Sequence, residues 1–291
     1  MDSLKIDQTT LTWLNGGVSH VDGGALFGPV PKVLWSKRYP CNENNLVEMP
    51  TEPILIQHNN KNYLIDAGIG KGRFSKKDKR NKGVTEESSI SDDLSALGLS
   101  EKDIDVVLMT HLHYDHVTGL TKIENNELVS TYPNAKIIIE KSEWRSMKEP
   151  SKRNSGTYCE DNWIALESQV HCFEGYFSTH DGIELFKTSG HSEGHSMIKL
   201  TIGEHVLVHL ADIFITHAHL NPLWVSAFDD YPLRSIEEKE KWINEGLEKD
   251  WVFLFYHDAY YRAIQFDKET KNIKYSVKRS KKAEVPLNDR V

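Results

Sequence analysis

The sequence predicts an α/β (α+β) chain folded as a four-layer αββα sandwich, two β-rich halves packed face to face with helices outside, in a single domain. Three observations carry this. Short β-type runs ending in a polar residue alternate with helix-like segments along the 291 residues, as a layered mixed fold requires. A run ends in Asp in each half, at Leu64, Ile65, Asp66 and at Leu210, Ala211, Asp212. A run is followed by His in each half as well, at Thr110, His111 and, after a Ser-Gly turn, at His191.

The elements follow in order. Residues 53–58 and 62–66 flank Asn59, Asn60 and Lys61 and read as a β-hairpin, with β-branched and aromatic residues bounded by turn formers. Residues 84–97 read as a helix, with Ser88 or Ser91 as N-cap and Gly98 as the stop. Residues 105–110 are a short apolar run of the buried-strand kind; residues 136–140 repeat it and lead into a helix over 142–147. Strands over 183–188, 197–202 and 205–211 are separated by turns rich in Gly, Ser and His. Residues 235–247 form an amphipathic helix and 251–256 a buried strand.

Composition narrows the partners. With 38% hydrophobic, 27% charged and 10% aromatic residues, disorder and collagen are excluded. No window approaches the ~18 apolar residues of a membrane span, and the opening residues 1–7 lack the apolar core of a secretory signal. The expectation is a cytoplasmic protein without a membrane partner. Thirty-five basic against 43 acidic residues give −8, the wrong sign for a chain whose affinity comes from neutralising phosphates, so no nucleic-acid partner is expected. Two basic runs, seven basic to one acidic over 71–82 and eight to three over 268–290, read as a solvated loop and tail. Cys41, Cys159 and Cys172 are odd in number and lack C-x-x-C spacing, which suits reduced thiols. Histidine is in surplus: 14 in all, nine of them from His171 to His257.

The surplus points to chemistry. Residues 111–116 read His-Leu-His-Tyr-Asp-His directly after a strand, and imidazole and carboxylate are donors that first-row divalent metals accept. At a strand's mouth, positions i and i+2 project together, so His111 and His113 share one ion and leave Asp115 and His116 for a second. Further ligands must come from other strand ends at the same rim, and His191, Asp212 and His257 stand at such ends. A carboxylate can bridge two cations, which makes Asp212 the shared ligand. One set is then His111, His113, His191 and Asp212; the other is Asp115, His116, His257 and Asp212. Neither fills its shell, leaving room for water between the ions.

H-x-H-x-D-H with the downstream Gly-His, Ala-Asp and His resembles the metallo-β-lactamase superfamily, whose αββα sandwich holds its metals at one edge of the two sheets. Asp66, Ala67 and Gly68 match that superfamily's early Asp motif, where the Asp supports the metal shell by hydrogen bonding. The resemblance spans residues 53–257 as the core, with 1–52 as an N-terminal pocket or dimer arm and 258–291 as a C-terminal segment. His113, where flavodiiron members carry Glu, disfavours redox chemistry; Asp212 disfavours a true β-lactamase. Segments 22–35 and 216–224 look like those of YtnP-type quorum-quenching lactonases and methyl parathion hydrolases. The resemblance implies a homodimeric hydrolase with two divalent ions per chain, Zn first and Mn, Co or Fe also suited. A hydroxide held between the ions opens the ring of an N-acyl-homoserine lactone, a small-molecule substrate, and Asp115 passes the proton to the leaving alkoxide.

Other readings share these ligands: a phosphotriesterase or arylesterase, a glyoxalase II-like thioesterase, or outside enzymes a metal-binding scaffold or regulatory protein. Better-studied lactonases place a Tyr three residues beyond the bridging Asp, where this chain has Ile215. Phe27 and Trp224, in the family-like segments, are candidates to line an acyl pocket, whereas Phe228 reads as core or a dimer contact. His195, His217 and His219 read as pocket or loop histidines, and Tyr114 as a residue that fixes the ligand loop.

Overall fold

Side-chain alternation along the strands decides the layers, because successive residues leave opposite faces of a sheet. Ile54, Ile56, Tyr63, Ile65, Leu108 and Ile138 enter one buried layer, while Leu55, Leu64, Val107, Ile137 and Ile139 enter another. The computed structural model describes residues 1–287, and Arg290 of the basic tail lies outside the described residues. One sheet runs in the order Asp2–Ile6, Thr9–Trp13, Ile54–His58, Lys61–Ile65, Val106–Leu108, Lys136–Glu140, Val170–Phe173. The other runs Tyr176–Ser178, Ile183–Lys187, Ser196–Ile202, His205–His209, Val252–Leu254, Tyr261–Phe266, Ile273–Lys278.

The layer between the sheets joins Ile54, Ile56 and Leu108 of the first to Ile198, Leu200, Leu207 and Leu254 of the second. Helices Ile90–Ala96 and Lys141–Lys148 cover the outer face of the first sheet through Ile90, Leu94 and Met147. Helix Pro232–Glu248 covers the second through Trp242, Ile243 and Leu247. This is the four-layer αββα sandwich read from the sequence. Among the described residues no helix is long and apolar enough to cross a membrane.

Parallel pairing sets the position of the site. Lys61–Ile65 runs parallel to Val106–Leu108 in one sheet, and His205–His209 runs parallel to Val252–Leu254 in the other. Parallel neighbours end at the same edge, where α/β sheets bind ligands. The chain leaves these four strands into Asp66, His111, Asp212 and His257 respectively.

Several elements differ from expectation. The hairpin forms with a two-residue turn, Asn59 and Asn60 at φ 50 and 58; two positive φ values are what a type I′ turn demands. Residues 84–97 are not one helix. Val84–Glu86 pairs with Val18–Asp22 in a three-stranded sheet completed by Leu46–Pro50, and the helix spans only Ile90–Ala96. β-branched Val84 and Thr85 suit an edge strand, and the distant partner that claims them leaves no mark on local pattern. The sheets also reach beyond residues 53–257, since Asp2–Ile6, Thr9–Trp13, Tyr261–Phe266 and Ile273–Lys278 belong to them.

Candidate active site

The seven predicted ligands converge at the shared edge of the two sheets. Asp212 lies at their centre. Its Oδ2 is 3.3 Å from His191 Nε2 and 3.8 Å from His111 Nε2, while its Oδ1 is 3.5 Å from His116 Nε2 and 3.4 Å from His257 Nε2. Asp115 Oδ2 stands 3.6 Å from His257 Nε2. Donor atoms of His111, His113 and His191, of His111, His116 and Asp212, and of Asp115, His116 and His257 group within metal-binding reach of one another.

The outward nitrogens of these rings are fixed by partners. His116 Nδ1 faces Asp66 Oδ2 at 2.9 Å, His191 Nδ1 faces Asp229 Oδ1 at 2.8 Å, and His257 Nδ1 donates to the Pro50 carbonyl at 2.8 Å. With the proton on Nδ1, each Nε2 presents a lone pair inward. His116 Nε2 and His257 Nε2 then meet at 3.0 Å, lone pair against lone pair. His111 Nε2 and Asp212 Oδ1 are buried with no hydrogen-bond partner, an arrangement that costs free energy unless something else engages them. Divalent cations fit this donor set. Burial also pushes His111 and His113 well below the usual imidazole range, which keeps them neutral and able to ligate. Burial opposes the charge on Asp212, but His257, His116 and His191 around it hold its carboxyl well below the usual range.

Asp66, at the end of its strand and fully buried, also accepts from the backbone N–H of Thr110 at 2.8 Å and from its hydroxyl at 2.7 Å. It therefore ties the motif loop to the neighbouring strand while orienting His116. His195 is wired to Asp212 rather than to a pocket. Its Nε2 accepts the Asp212 backbone N–H at 3.1 Å and its Nδ1 pairs with Thr188 Oγ1 at 2.7 Å. Ala211, at φ 44, sits in the left-handed region just before Asp212, a conformation that costs a non-glycine residue. His217 pairs with Asp258 at 2.6 Å, and His219 bonds Thr216 Oγ1 and the Leu26 carbonyl.

A cavity of about 380 Å³ opens over Asp212, His113, Asp115 and His191. Val21, Met49, Ile215 and Phe228 form its apolar wall, and Tyr114, Arg153, Asn154 and Thr157 border it. The pocket expectation for Phe27 and Trp224 is corrected. Phe27 is fully buried, stacked between Trp35 at 4.8 Å and His219 at 4.5 Å, with Trp224 edge-on at 6.0 Å. Both belong to the aromatic layer beneath Ile215 and Met49, because flat rings flanked by other rings gain more from stacking than from facing water. Phe228, read as core or a dimer contact, is not core: it is 43% exposed and lines the cavity wall.

Sequence reading missed four groups that hold the site. Asp229 and the Pro50 carbonyl orient two histidines, and Tyr256 stacks on His116 at 4.5 Å while donating to the Asp115 carbonyl at 2.8 Å. Buried Glu143 accepts from Leu112 N, Tyr158 Oη, Ser192 Oγ and Gly194 N, clamping the 111–113 loop to the 191–195 loop. A side chain at Gly194 would meet the Glu143 backbone nitrogen at 2.2 Å, so only glycine permits the approach. The basic run 71–82 has structural contacts of its own: Arg73 donates to the carbonyls of Thr118 and Thr121, and Lys82 lies 3.9 Å over the Tyr114 ring.

Known proteins share this fold. A crystal structure described as a probable metal-dependent hydrolase from Staphylococcus aureus is 43% identical, with a TM-score of 0.92 over 96% of this chain and 100% of that one. The dizinc quorum-quenching lactonase AidC, solved with N-hexanoyl-L-homoserine, shares the fold at TM-score 0.77 and 17% identity over 97% and 98% of the two chains. An N-acyl homoserine lactonase of a Bacillus species is 25% identical over 154 residues, 53% of this chain and 55% of that protein. The match thus spans about half the length of that relative. The model of the Metallo-beta-lactamase superfamily matches residues 48–222, a stretch holding six of the seven converging side chains and Asp66. On that match, and on a fold shared with metal-dependent hydrolases, the chain belongs to the metallo-β-lactamase superfamily.

Proposed function

We propose that this chain is a two-metal hydrolase that opens the lactone ring of N-acyl-homoserine lactones. One observation carries the reading: the two oxygens of Asp212 face two separate sets of inward-pointing imidazole nitrogens. His111, His113, His191 and Asp212 hold one divalent ion, zinc in the first instance, and Asp115, His116, His257 and Asp212 hold the other. Bound there, the ions supply Lewis acidity and a water acidified from a pKa of 15.7 toward about 7.

The chain's own residues do the rest. Asp66, Asp229 and the Pro50 carbonyl keep Nδ1 protonated on His116, His191 and His257, so that each Nε2 stays free to ligate. Asp115 lines the cavity, and the Tyr256 hydroxyl holds its backbone carbonyl; the Asp115 carboxylate takes the proton that water gives up as its oxygen bonds to the ring carbonyl carbon, and passes it to the ring oxygen as the bond from that oxygen to the same carbon breaks. Ile215 leaves no phenol at its own position to share that task. Val21, Met49, Ile215 and Phe228 take the acyl chain and exclude water. Exposed Val33 and Leu34 in the N-terminal arm offer apolar surface to a second copy in the homodimer this reading includes.

The lactonase relative and the product-bound lactonase fold support the substrate class. The test is metal analysis followed by a panel of acyl-homoserine lactones and paraoxon-type triesters, with His111→Ala as control. Two ions per chain and higher kcat/KM on lactones are expected. Preference for triesters makes the protein a phosphotriesterase; bound metal without turnover of any ester makes it a metal-binding scaffold.

A further inference from the structure

Among the described residues, Arg153 is the one arginine or lysine that lines the cavity. Its guanidinium is pinned. Nε donates to Asp230 Oδ1 at 2.8 Å, and Nη2 donates to the Ala227 and Asp229 carbonyls at 2.8 and 3.1 Å. Asn154 Nδ2 holds the other oxygen of Asp230 at 2.6 Å, so the anchor is braced from both sides. These bonds use three of the five N–H donors of an arginine. Both donors of Nη1 have no protein partner among the described residues. A charged donor pair held in a fixed plane loses little freedom when it meets an acceptor, and arginine suits carboxylate above neutral oxygens. The carboxylate of Asp230 sits at Nε, leaving the Nη1 side of the group open.

We propose that Arg153 reads a carboxylate on the substrate, so that lactones bearing an anionic group beside the ring are turned over in preference to their neutral isosteres. The inference rests on the ring-opening reading above and extends its substrate range beyond neutral acyl-homoserine lactones. Arg153 is here a specificity-determining residue, not an acid or base. Its side chain is 56% exposed, so water weakens the contact, and an effect of about tenfold is the appropriate scale for one charge-assisted hydrogen bond.

The experiment compares 5-oxotetrahydrofuran-2-carboxylate with its carboxamide on the metal-loaded protein, following proton release, for wild type, Arg153→Met and Arg153→Lys. Wild type is expected to favour the carboxylate by about tenfold in kcat/KM. Arg153→Met brings the ratio of kcat/KM on carboxylate to that on carboxamide down to about one, while Arg153→Lys retains part of the preference as a point charge. Equal rates on both lactones in wild type overturn the inference, as does an equal loss on both in Arg153→Met, which would make Arg153 a loop brace. Turnover of acyl-homoserine lactones without turnover of either probe also overturns it. Failure of every lactone and ester refutes the ring-opening reading itself.

Discussion

Asp66→Asn is a near-isosteric change that tests whether tautomer control holds the site together. Asp66 occupies the left-handed region at φ 55, where Asn is as acceptable as Asp, so backbone strain does not confuse the result. Its two oxygens accept from two buried N–H groups, Thr110 N on Oδ1 and His116 Nδ1 on Oδ2, and from the Thr110 hydroxyl. An amide has one oxygen. Whichever way it turns, one N–H donor faces an NH₂ group and loses its partner, costing about 1–3 kcal/mol. If His116 is the loser, it relieves the clash by moving its proton to Nε2, the atom that faces Asp212 and His257, and that nitrogen no longer ligates. Loss of such an orienting carboxylate lowers metal affinity about 10–100-fold, or about 1.4–2.7 kcal/mol. The assay is zinc competition against a chromogenic chelator, with thermal unfolding in parallel. Thr110→Val is the control, since it removes the hydroxyl bond and leaves both N–H bonds. An Asp66→Asn protein that binds both ions within about twofold of wild type and also unfolds at the wild-type temperature refutes the argument.

Other substitutions separate roles that the sequence merges. His195→Ala strips the acceptor from the Asp212 N–H; we expect about 1–3 kcal/mol of destabilisation and weaker metal binding, and unchanged affinity would show that Ala211 and Asp212 hold their conformation unaided. Phe27→Ala removes a fully buried stacked ring and costs about 3–5 kcal/mol in denaturant unfolding with KM little altered; Phe228→Ala, on the cavity wall, raises KM with little change in stability. The reverse pattern would restore Phe27 to the pocket. The Tyr63 hydroxyl and then Lys61 hold Asp181 down to about 2, below its unfolded value of about 3.9. That group therefore stabilises the fold fully above pH ~4 and ceases to do so as pH falls toward 2. The Tm difference between wild type and Asp181→Asn should be constant near neutrality and shrink in acid; a difference that grows on acidification contradicts the assignment.

How much of this was legible in the sequence depends on how far each interaction reaches. The hairpin at Asn59 and Asn60, the buried strands Val106–Leu108 and Lys136–Glu140, and helix Pro232–Glu248 are written in neighbouring residues, and reading them fixes the layers. The ligand motif is local too, and its partners were found because each stands where an apolar run stops. Failures cluster where a residue answers to a distant one. Val84–Glu86 becomes a strand because Val18–Asp22 offers it an edge. Phe27 is buried because Trp35 and His219 close on both of its faces.

The groups that orient the histidines illustrate the limit most clearly. Pro50 acts through a carbonyl, which every residue possesses, and Asp229 is one of two adjacent aspartates in a loop with no periodicity. Neither carries a compositional signal. Yet the need for them follows from chemistry available at the outset, since an imidazole that ligates through Nε2 must place its Nδ1 proton on an acceptor. Five histidines proposed as ligands therefore imply acceptors for their remaining N–H groups, and Asp66, singled out by its resemblance to the superfamily's early Asp motif, is one of them. The others were missing because the sequence specifies that acceptors exist without specifying which loop delivers them. Histidine surplus then divides by function: five side chains point inward at Asp212 and its surroundings, while His195 holds the backbone from which Asp212 projects.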